Sequence, residues 1–125
     1  MTYLDTHVVA ALYEKKLSPY SDQAIAALEK ADDLRLSPMA LLELQYLFEI
    51  KRLKFPAAKL VAALPQDIGL QICDIPFPEV AHQALTERWT RDPFDRIIVA
   101  QARLNNATLI TRDRHILAHY ARALA

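Results

Sequence analysis

The chain has 125 residues, of which 53% are hydrophobic and 24% are charged, so its composition is globular and neither disordered nor fibrous. Its 15 basic residues balance 15 acidic ones, which excludes nucleic-acid binding driven by overall positive charge and requires any such binding to be local. The length fits a single domain over residues 1–125, and the lone glycine, Gly69, excludes the glycine-rich loops that cradle phosphates.

Short apolar runs alternate with segments of helical periodicity along the chain. Strands that alternate with helices imply right-handed crossovers and a parallel sheet, so the sequence predicts an α/β fold. Prolines mark several of the helix starts, because the first helical position needs no N–H donor. Helices are predicted over residues 6–16, 21–31, 38–53, 57–64, 78–90, 93–105 and 113–123. Strands are predicted over residues 2–5, 34–37, 70–75 and 108–112, with the segment "ALPQDIGLQ" as a loop.

Four acidic residues lie at or just beyond points where an apolar run becomes helical: Asp5, Glu43, Asp95 and Asp113. Because ligands of open parallel sheets bind outside the carboxyl ends of the strands, these four side chains are predicted to share one crevice. Crowded carboxylates repel one another, and hard divalent cations are the usual compensation. The pattern therefore favours a metal site at one edge of the sheet.

Helix capping is an ordinary explanation for three of these positions. Asp5 or Thr6 suits the N-cap of the first helix, and Asp113 suits the N-cap of the last one. Asp92 precedes a proline and Asp95 follows three residues later, which matches an N-cap with an acidic residue in the first turn. Capping and metal binding both remain open for each acid taken alone.

Glu43 lies among apolar residues of its predicted helix. A glutamate in such surroundings is rarely buried without a partner or a metal, and an exposed edge position is the alternative. Glu49, the rival acid of the same helix, is explained by pairing with a basic residue such as Arg52.

The types of the candidate ligands restrict the metal. Oxygen ligands without a cluster of histidine or cysteine select Mg²⁺ or Mn²⁺ over Zn²⁺, and one or two such ions would suit hydrolysis of a phosphate ester. His115 and His119 have the i, i+4 spacing of a zinc pair, but no third ligand accompanies them. His7 follows Asp5 closely enough to contact a substrate, and a packed or solvent-facing position is the alternative.

Four segments resemble, in order and spacing, the PIN-domain ribonucleases and, more narrowly, the VapC-type toxins of bacterial toxin–antitoxin pairs. The segments are "YLDTHVV", "SPMALLELQYLFEIKRL", "RDPFDRIIVAQARL" and "TLITRDRHI", and "DPFDRIIVAQA" is the most specific part. The resemblance covers nearly all of the chain. It implies a three-layer PIN-like fold, with a short parallel sheet of four or five strands flanked by about seven helices.

The resemblance also implies an acidic pocket that binds Mg²⁺ or Mn²⁺ and cuts single-stranded RNA, leaving a 5′-phosphate and a 3′-hydroxyl. On this pattern the four acids take the catalytic and metal-binding positions. Asp92 would be an accessory acid, and Thr6 and Thr111 would steady the pocket by hydrogen bonds. Family members are usually homodimers that a cognate antitoxin protein holds inactive. One departure is that the chain ends at "HYARALA", so the fifth strand is expected to be missing.

Because the net charge is zero, affinity for RNA must come from a local set of basic residues. Arg96 and Arg112, together with His7, are the candidate substrate contacts. Ordinary solvated ion pairs with neighbouring acids are the alternative explanation for the arginines. Examples of basic residues in such a local set are Arg88, Arg91, Arg96, Arg112 and Arg114.

A non-catalytic PIN-fold module that binds a partner protein is the alternative function. A phosphoacceptor receiver domain would need paired acids near the first strand and a lysine after the last, yet "TLITRDRHI" contains no lysine. A phosphatase with an aspartyl nucleophile would need an acid two residues after Asp5, where His7 stands. Both of these rivals fit the sequence poorly.

The cellular location is predicted from three absences. Cys73 is the only cysteine, so no intrachain disulfide can form, and it is expected to be buried as a small hydrophobic residue. The N-terminus lacks the basic region of a signal peptide, and no apolar stretch approaches the roughly 20 residues that span a bilayer. A cytoplasmic protein without membrane association is expected.

Overall fold

Five short parallel strands form one sheet, and seven helices surround it in the computed structural model, which describes residues 1–125. The three-layer α/β fold predicted from the sequence is confirmed. The strands are β1 (Thr2–Leu4), β2 (Leu34–Leu36), β3 (Gln71–Ile72), β4 (Thr108–Ile110) and β5 (Ala123–Leu124). The helices are α1 (Thr6–Glu14), α2 (Asp22–Lys30), α3 (Pro38–Glu49), α4 (Ala57–Ile68), α5 (Phe77–Ala84), α6 (Pro93–Leu104) and α7 (Arg114–His119).

The strand order β3-β2-β1-β4-β5 places β1 at the centre of the sheet. Leu4, the last residue of β1, lies opposite Leu36 of β2 and Ile110 of β4. The Asp5 amide continues this ladder by donating to the Ile110 carbonyl at 3.0 Å. The carboxyl ends of the three central strands are therefore level, and the residues that follow them meet at one edge.

The helices begin where side chains satisfy their free N–H groups. Ser37 Oγ accepts from the Met39 amide at 3.0 Å, and Pro38 occupies the first turn of α3. Asp92 Oδ1 accepts from the Phe94 amide at 2.9 Å, with Pro93 in the first turn of α6. Proline is favourable there because its missing N–H has no partner within the helix. Both starts agree with the sequence-based prediction.

The core lies on both faces of the sheet. Every residue of β1 is buried, as are Leu109 and Ile110 of β4, which is typical of parallel strands covered by helices on two sides. Ile98 and Val99 of α6 are fully buried against this layer. Cys73 is buried as predicted, and its Sγ accepts a hydrogen bond of 3.0 Å from the Tyr3 hydroxyl. None of the helices has both the length and the apolar surface needed to cross a membrane.

A fifth strand is present, so the expectation that it would be missing is wrong. The Leu109 amide donates to the Arg122 carbonyl at 3.0 Å, and the Thr111 amide donates to the Leu124 carbonyl at 2.9 Å. These bonds hold β5 parallel to β4. The strand escaped prediction because it contains two residues, too few for an alternating pattern, and because α7 ends at His119 instead of continuing to residue 123.

Helix α4 continues to Ile68, so the loop predicted for "ALPQDIGLQ" is wrong over most of its length. Pro65 lies inside this helix, where a proline costs about 3 kcal/mol because it removes one hydrogen bond and crowds a carbonyl. Burial of Leu60 and Leu64 on the same helix offsets that cost. The helix ends at Gly69, whose φ of 69° suits a left-handed cap.

Two other helices end earlier than predicted. Helix α3 stops at Glu49 and not at residue 53, because Lys51 adopts a left-handed φ of 65° and turns the chain. Helix α5 stops at Ala84 and not at residue 90, since the segment that follows forms short turns and is tied to α6 through Glu87 and Arg103.

Glu87 is the most buried acid of the chain, with an exposure of 2%, and the sequence analysis did not mark it. Arg103 Nε donates to Glu87 Oε1 at 2.5 Å, and the Trp89 indole donates to Oε2 at 2.7 Å. The Trp89 ring stacks on His119 of α7, with ring centroids 5.2 Å apart and planes 8° apart. This buried charge is paired and hydrogen-bonded, so its role is to fix the α5–α6 connection against α6 and α7.

Tyr120 fastens the turn that leads into β5, and this contact can be tested. Its buried hydroxyl donates to the Ala107 carbonyl at 2.5 Å. Tyr120→Phe leaves that carbonyl without its partner, so we expect the free energy of unfolding to fall by about 1–2 kcal/mol in urea titrations. Tyr13→Phe, at a partly exposed tyrosine whose hydroxyl forms no hydrogen bond, is the matched control and should be neutral. Equal free energies of unfolding in the two variants would show that the Tyr120 hydroxyl does not stabilise this turn.

Candidate active site at the carboxyl edge of the sheet

Asp5 lies directly after the central strand and is buried, with an exposure of 6%. Its Oδ1 accepts from the Thr6 amide at 2.8 Å, which makes it the N-cap of α1. Its Oδ2 accepts from the Thr111 hydroxyl at 2.6 Å. Burial raises the pKa of Asp5, while these two hydrogen bonds lower it. The carboxylate is thus held in one orientation by the first amide of α1 and by the hydroxyl of the residue that follows β4.

Glu43 projects from α3 toward the same edge. Its Oε1 accepts a short hydrogen bond from the buried Thr6 hydroxyl. Burial raises the pKa of Glu43, and the negative charges of Asp5 and Asp92 raise it further. Glu49, by contrast, is exposed, and its carboxylate accepts from the Gln45 amide at 2.9 Å instead of pairing with Arg52.

Asp113 follows β4 as Asp5 follows β1. Its Oδ1 accepts from the amides of His115 and Ile116 at 2.8 and 3.1 Å, so it caps α7. The Thr111 hydroxyl accepts from the Asp113 amide at 3.0 Å. Thr111 therefore connects the Asp5 carboxylate to the backbone of Asp113.

Asp95 is the acid most affected by its neighbours. It lies in the first turn of α6, half-buried, while the cap of that helix is the exposed Asp92. Burial is the largest cause that raises the pKa of Asp95 to about 8, followed by the charges of Asp92, Asp5, Asp113 and Glu43. Four carboxylates thus act on a fifth, as expected if all of them face one crevice.

The structure brings Asp5, Glu43, Asp95 and Asp113 into one electrostatic neighbourhood, with Thr6 and Thr111 as hydrogen-bond donors to two of them. No three histidine, cysteine, aspartate or glutamate side chains are arranged as a group that could hold a metal ion without moving. Asp95, Glu43 Oε2 and Asp113 Oδ2 accept no hydrogen bond from the protein and are therefore the carboxylate oxygens available to a ligand.

The predicted basic contacts divide into two groups. Arg96 is not directed at the crevice: its Nε and Nη2 both donate to the Ala84 carbonyl at 3.1 Å and so close the end of α5. Arg88 and Arg114 are exposed, and Arg91 Nη1 donates to the Arg88 carbonyl at 3.0 Å. None of these arginines forms an ion pair; the arginines that do are Arg35 and Arg103.

A cavity of about 340 Å³ adjoins the acids, and two of the predicted substrate contacts, His7 and Arg112, line it. Asp5, Asp113 and Tyr20 complete its walls. The sequence analysis missed Tyr20, because nothing in the local pattern of the α1–α2 connection indicates that this loop returns to the sheet edge. His115 and His119 lie outside the cavity, and the His119 ring contacts the His115 carbonyl at 2.8 Å.

Comparison with known proteins places this architecture in a family. The family model described as the PIN domain matches residues 2–123. A toxin–antitoxin complex from Klebsiella pneumoniae is similar, with a TM-score of 0.67, 19% identity and coverage of 100% of this chain and 97% of the other. VapBC2 from Rickettsia felis, bound to a DNA fragment from its promoter, is also similar, with a TM-score of 0.63 and 19% identity. The match covers 100% of this chain and 98% of the other.

A third similar structure is FitAcB from Neisseria gonorrhoeae, with a TM-score of 0.55, 23% identity and coverage of 100% of this chain and 97% of the other. Identities this low establish a common fold and leave activity and partners open. No curated protein matches the sequence significantly. Because the family model spans nearly the whole length, the chain belongs to the PIN-domain family.

Proposed function

We propose that the protein is a metal-dependent endoribonuclease that hydrolyses phosphodiester bonds of RNA and serves as the toxin of a toxin–antitoxin pair. The observation that carries this proposal is the pKa of about 8 at Asp95, caused by burial and by four surrounding carboxylates. A structural role for Asp95 would not require such crowding, because the helix is already capped by Asp92. A divalent cation would remove the repulsion.

The donor set fits Mg²⁺, with Mn²⁺ as a substitute, because it consists of carboxylate oxygens without histidine or cysteine ligands. Asp5, Asp95 and Asp113 would hold one or two ions, and Glu43 would complete the site or orient a water. When bound, such an ion polarises the phosphate and lowers the pKa of a water molecule near neutral pH.

The residues of the chain have distinct tasks in this proposal. Thr111 holds Asp5 and Thr6 holds Glu43, so that two carboxylates keep their orientation while substrate enters. Asp92 acts as an accessory acid through its charge on Asp95 and Glu43. His7 and Arg112 lie on the walls of the adjoining cavity, where an RNA strand can be contacted.

The proposed partner is a cognate antitoxin that keeps the nuclease inactive. Support comes from the similar structures, which are a toxin–antitoxin complex and a VapBC pair. The reading frame beside this gene is the place where such a partner would be encoded. An RNA substrate also implies a cytoplasmic location.

A homodimer is proposed through the exposed apolar face of α3 and α5. Leu42, Tyr46 and Phe77 are about half exposed, at 59%, 49% and 54%. Leu42 and Phe77 border a groove of about 240 Å³ that has the buried amide of Gln101 among its lining residues. Gln101 Oε1 is the one buried side-chain oxygen or nitrogen without a hydrogen bond. An exposed apolar patch of this kind is typical of an interaction surface.

A non-catalytic module that binds a partner protein is the second candidate. The observation in its favour is that Asp5, Asp92 and Asp113 are all N-caps, so capping accounts for three acids without a metal. Asp95 and Glu43 have no such role. Calorimetry with Mn²⁺ at millimolar concentration separates the two candidates, because the binding module should release or absorb no heat.

RNA cleavage is the direct test of the nuclease. We expect cleavage of single-stranded RNA with Mg²⁺ and none with EDTA, and a loss of about 100-fold in Asp5→Asn and Asp95→Asn. Asparagine is as good an N-cap as aspartate, so Asp5→Asn removes the charge while the helix start is kept. Cleavage that survives both chelation and the two substitutions would defeat the proposal.

Stability against pH tests the crowding at Asp95. Its pKa of about 8 in the folded protein lies above the value near 4 expected in the unfolded chain, so between these values the folded state holds the extra proton. The free energy of unfolding should therefore fall as pH rises from 5 to 8 in EDTA. Asp95→Asn should reduce this slope, while Asp67→Asn, at an exposed acid of α4, should not.

Mg²⁺ provides the complementary measurement. Because it would bind the ionised acids, it should raise the unfolding temperature of the wild type, and Asp95→Asn should show a smaller rise. Identical pH slopes and identical responses to Mg²⁺ in the wild type and Asp95→Asn would show that this carboxyl is not crowded in solution.

Light scattering after size-exclusion chromatography tests the homodimer. The wild type should have the mass of a dimer, and Leu42→Glu should shift it to a monomer because a charge cannot be buried unpaired at the interface. Val61→Glu, at an exposed apolar residue of α4 outside the groove, is the control and should leave the dimer intact. A monomeric wild type would rule out this interface.

A further inference from the structure

Arg112 has an unusual position for an arginine beside an acidic crevice. It lines the same cavity as Asp5 and Asp113, yet it forms an ion pair with neither of them. Its guanidinium lies instead over the ring of Tyr20, with Cζ 5.7 Å from the ring centroid. The guanidinium forms no hydrogen bond within the protein, and a cation–π contact does not use up its N–H donors. The exposed Arg112 is therefore held in place with its donors available.

Tyr20 provides the support for this arrangement. Its side chain is buried, with an exposure of 8%, and belongs to the main hydrophobic core. Burial raises the pKa of its hydroxyl, while Arg112 lowers it and Asp5 raises it, and no hydrogen bond contributes. Tyr20 thus presents a polar group without a protein partner to the cavity that holds Arg112. The aromatic ring is fixed by the core, so the position of Arg112 is fixed with it.

The composition of the cavity indicates which part of a substrate it suits. Of the four acids of the site, only Asp5 and Asp113 reach its wall, while Glu43 and Asp95 do not. A phosphate under attack must lie where all four acids converge, so the cavity extends to one side of that point. A free guanidinium edge matches two phosphate oxygens.

We propose that Arg112, positioned by Tyr20, binds the phosphate that neighbours the scissile phosphate in an RNA strand. This inference rests on the proposed nuclease function and deepens it, because it assigns a subsite for a second phosphodiester. Arg112 is the contact residue, and Tyr20 is a positioning residue that acts through it. The enzyme would then recognise two neighbouring phosphates of the RNA backbone, and not only the phosphodiester bond that it cleaves.

Single methylphosphonate linkages test this subsite, because each one removes the charge of one phosphate. A short RNA with a mapped cleavage point is prepared with one neutral linkage at each non-scissile position. For the wild type, the linkage beside the cleavage point should raise KM about tenfold with little change in kcat, as expected for loss of one charged hydrogen-bonded contact.

The variants decide whether Arg112 is responsible. Arg112→Ala should raise KM about tenfold on unmodified RNA and become insensitive, within about twofold, to that neutral linkage. Arg114→Ala, at an exposed arginine outside the cavity, should remain sensitive. The proposal is overturned if Arg112→Ala remains fully sensitive to the neutral linkage. It is also overturned if Arg114→Ala loses this sensitivity to the same extent as Arg112→Ala.

Two substitutions separate the positioning role of Tyr20 from a structural one. Tyr20→Phe keeps the ring and should keep the sensitivity to the neutral linkage, whereas Tyr20→Leu removes the ring and should lose it. If Tyr20→Leu does not fold, Tyr20→Phe decides alone. Loss of sensitivity to the neutral linkage in Tyr20→Phe would contradict the proposal that the aromatic ring positions Arg112.

Failure of the nuclease proposal itself is distinguishable from failure of this one. If the wild type cuts no RNA, fluorescence anisotropy with the same labelled oligonucleotides measures binding instead. If Arg112→Ala binds RNA more weakly and is insensitive to one neutral linkage, the phosphate subsite is supported although the nuclease proposal is rejected. Equal affinities of wild type and Arg112→Ala overturn the subsite.

Discussion

The in-register parallel pairing of β1 with β2 and β4 is the constraint on which the site depends. It brings the ends of three strands level, so the residue that leaves each strand lies beside its counterparts. Each of these strands leads into a helix, and two of the helices are capped by Asp5 and Asp113. The N-terminal ends of α1 and α7 thus face the crevice with their partial positive charge, which offsets part of the repulsion between the carboxylates.

Asp95 shows the limit of this compensation. Asp5 and Asp113 receive hydrogen bonds from amides and hydroxyls, whereas Asp95 depends on its position in the first turn of α6 and carries a pKa of about 8. At neutral pH without a cation its carboxyl is therefore mostly protonated. A cation that binds there must displace that proton, so affinity for metal should rise with pH. Asp95, whose ionised form is the most disfavoured in the free protein, would therefore be stabilised most by a bound cation.

Much of this arrangement could be predicted from the chain, because it depends on local patterns. The apolar run that ends at Asp5 and the Asp-Pro sequence at 92–93 identify strand ends and helix starts without knowledge of the tertiary structure. The features that escaped depend on contacts distant in sequence. Strand β5 is too short to have a pattern and exists because β4 offers an open edge, and α4 continues through Pro65 because Leu64 is buried.

The same distinction applies to individual side chains. The sequence makes Arg96 a candidate substrate contact because RNA affinity must come from a local set of basic residues, yet its guanidinium reaches the end of α5. Tyr20 is 15 residues from Asp5 in a loop without a motif, and only folding brings the two to one cavity. Periodicity identifies which face of an element is buried, but it does not give the direction of a long side chain or the path of a loop.

The stacking of Trp89 on His119 has a spectroscopic consequence. Trp89 is the only tryptophan, so the intrinsic fluorescence of the protein comes chiefly from one indole. That indole is hydrogen-bonded to Glu87 and lies parallel to an imidazole near the end of α7, the helix that Asp113 caps. Any ligand that shifts α7 through Asp113 changes the surroundings of this fluorophore. The protein therefore contains its own optical reporter for events at the acidic crevice, without an attached label.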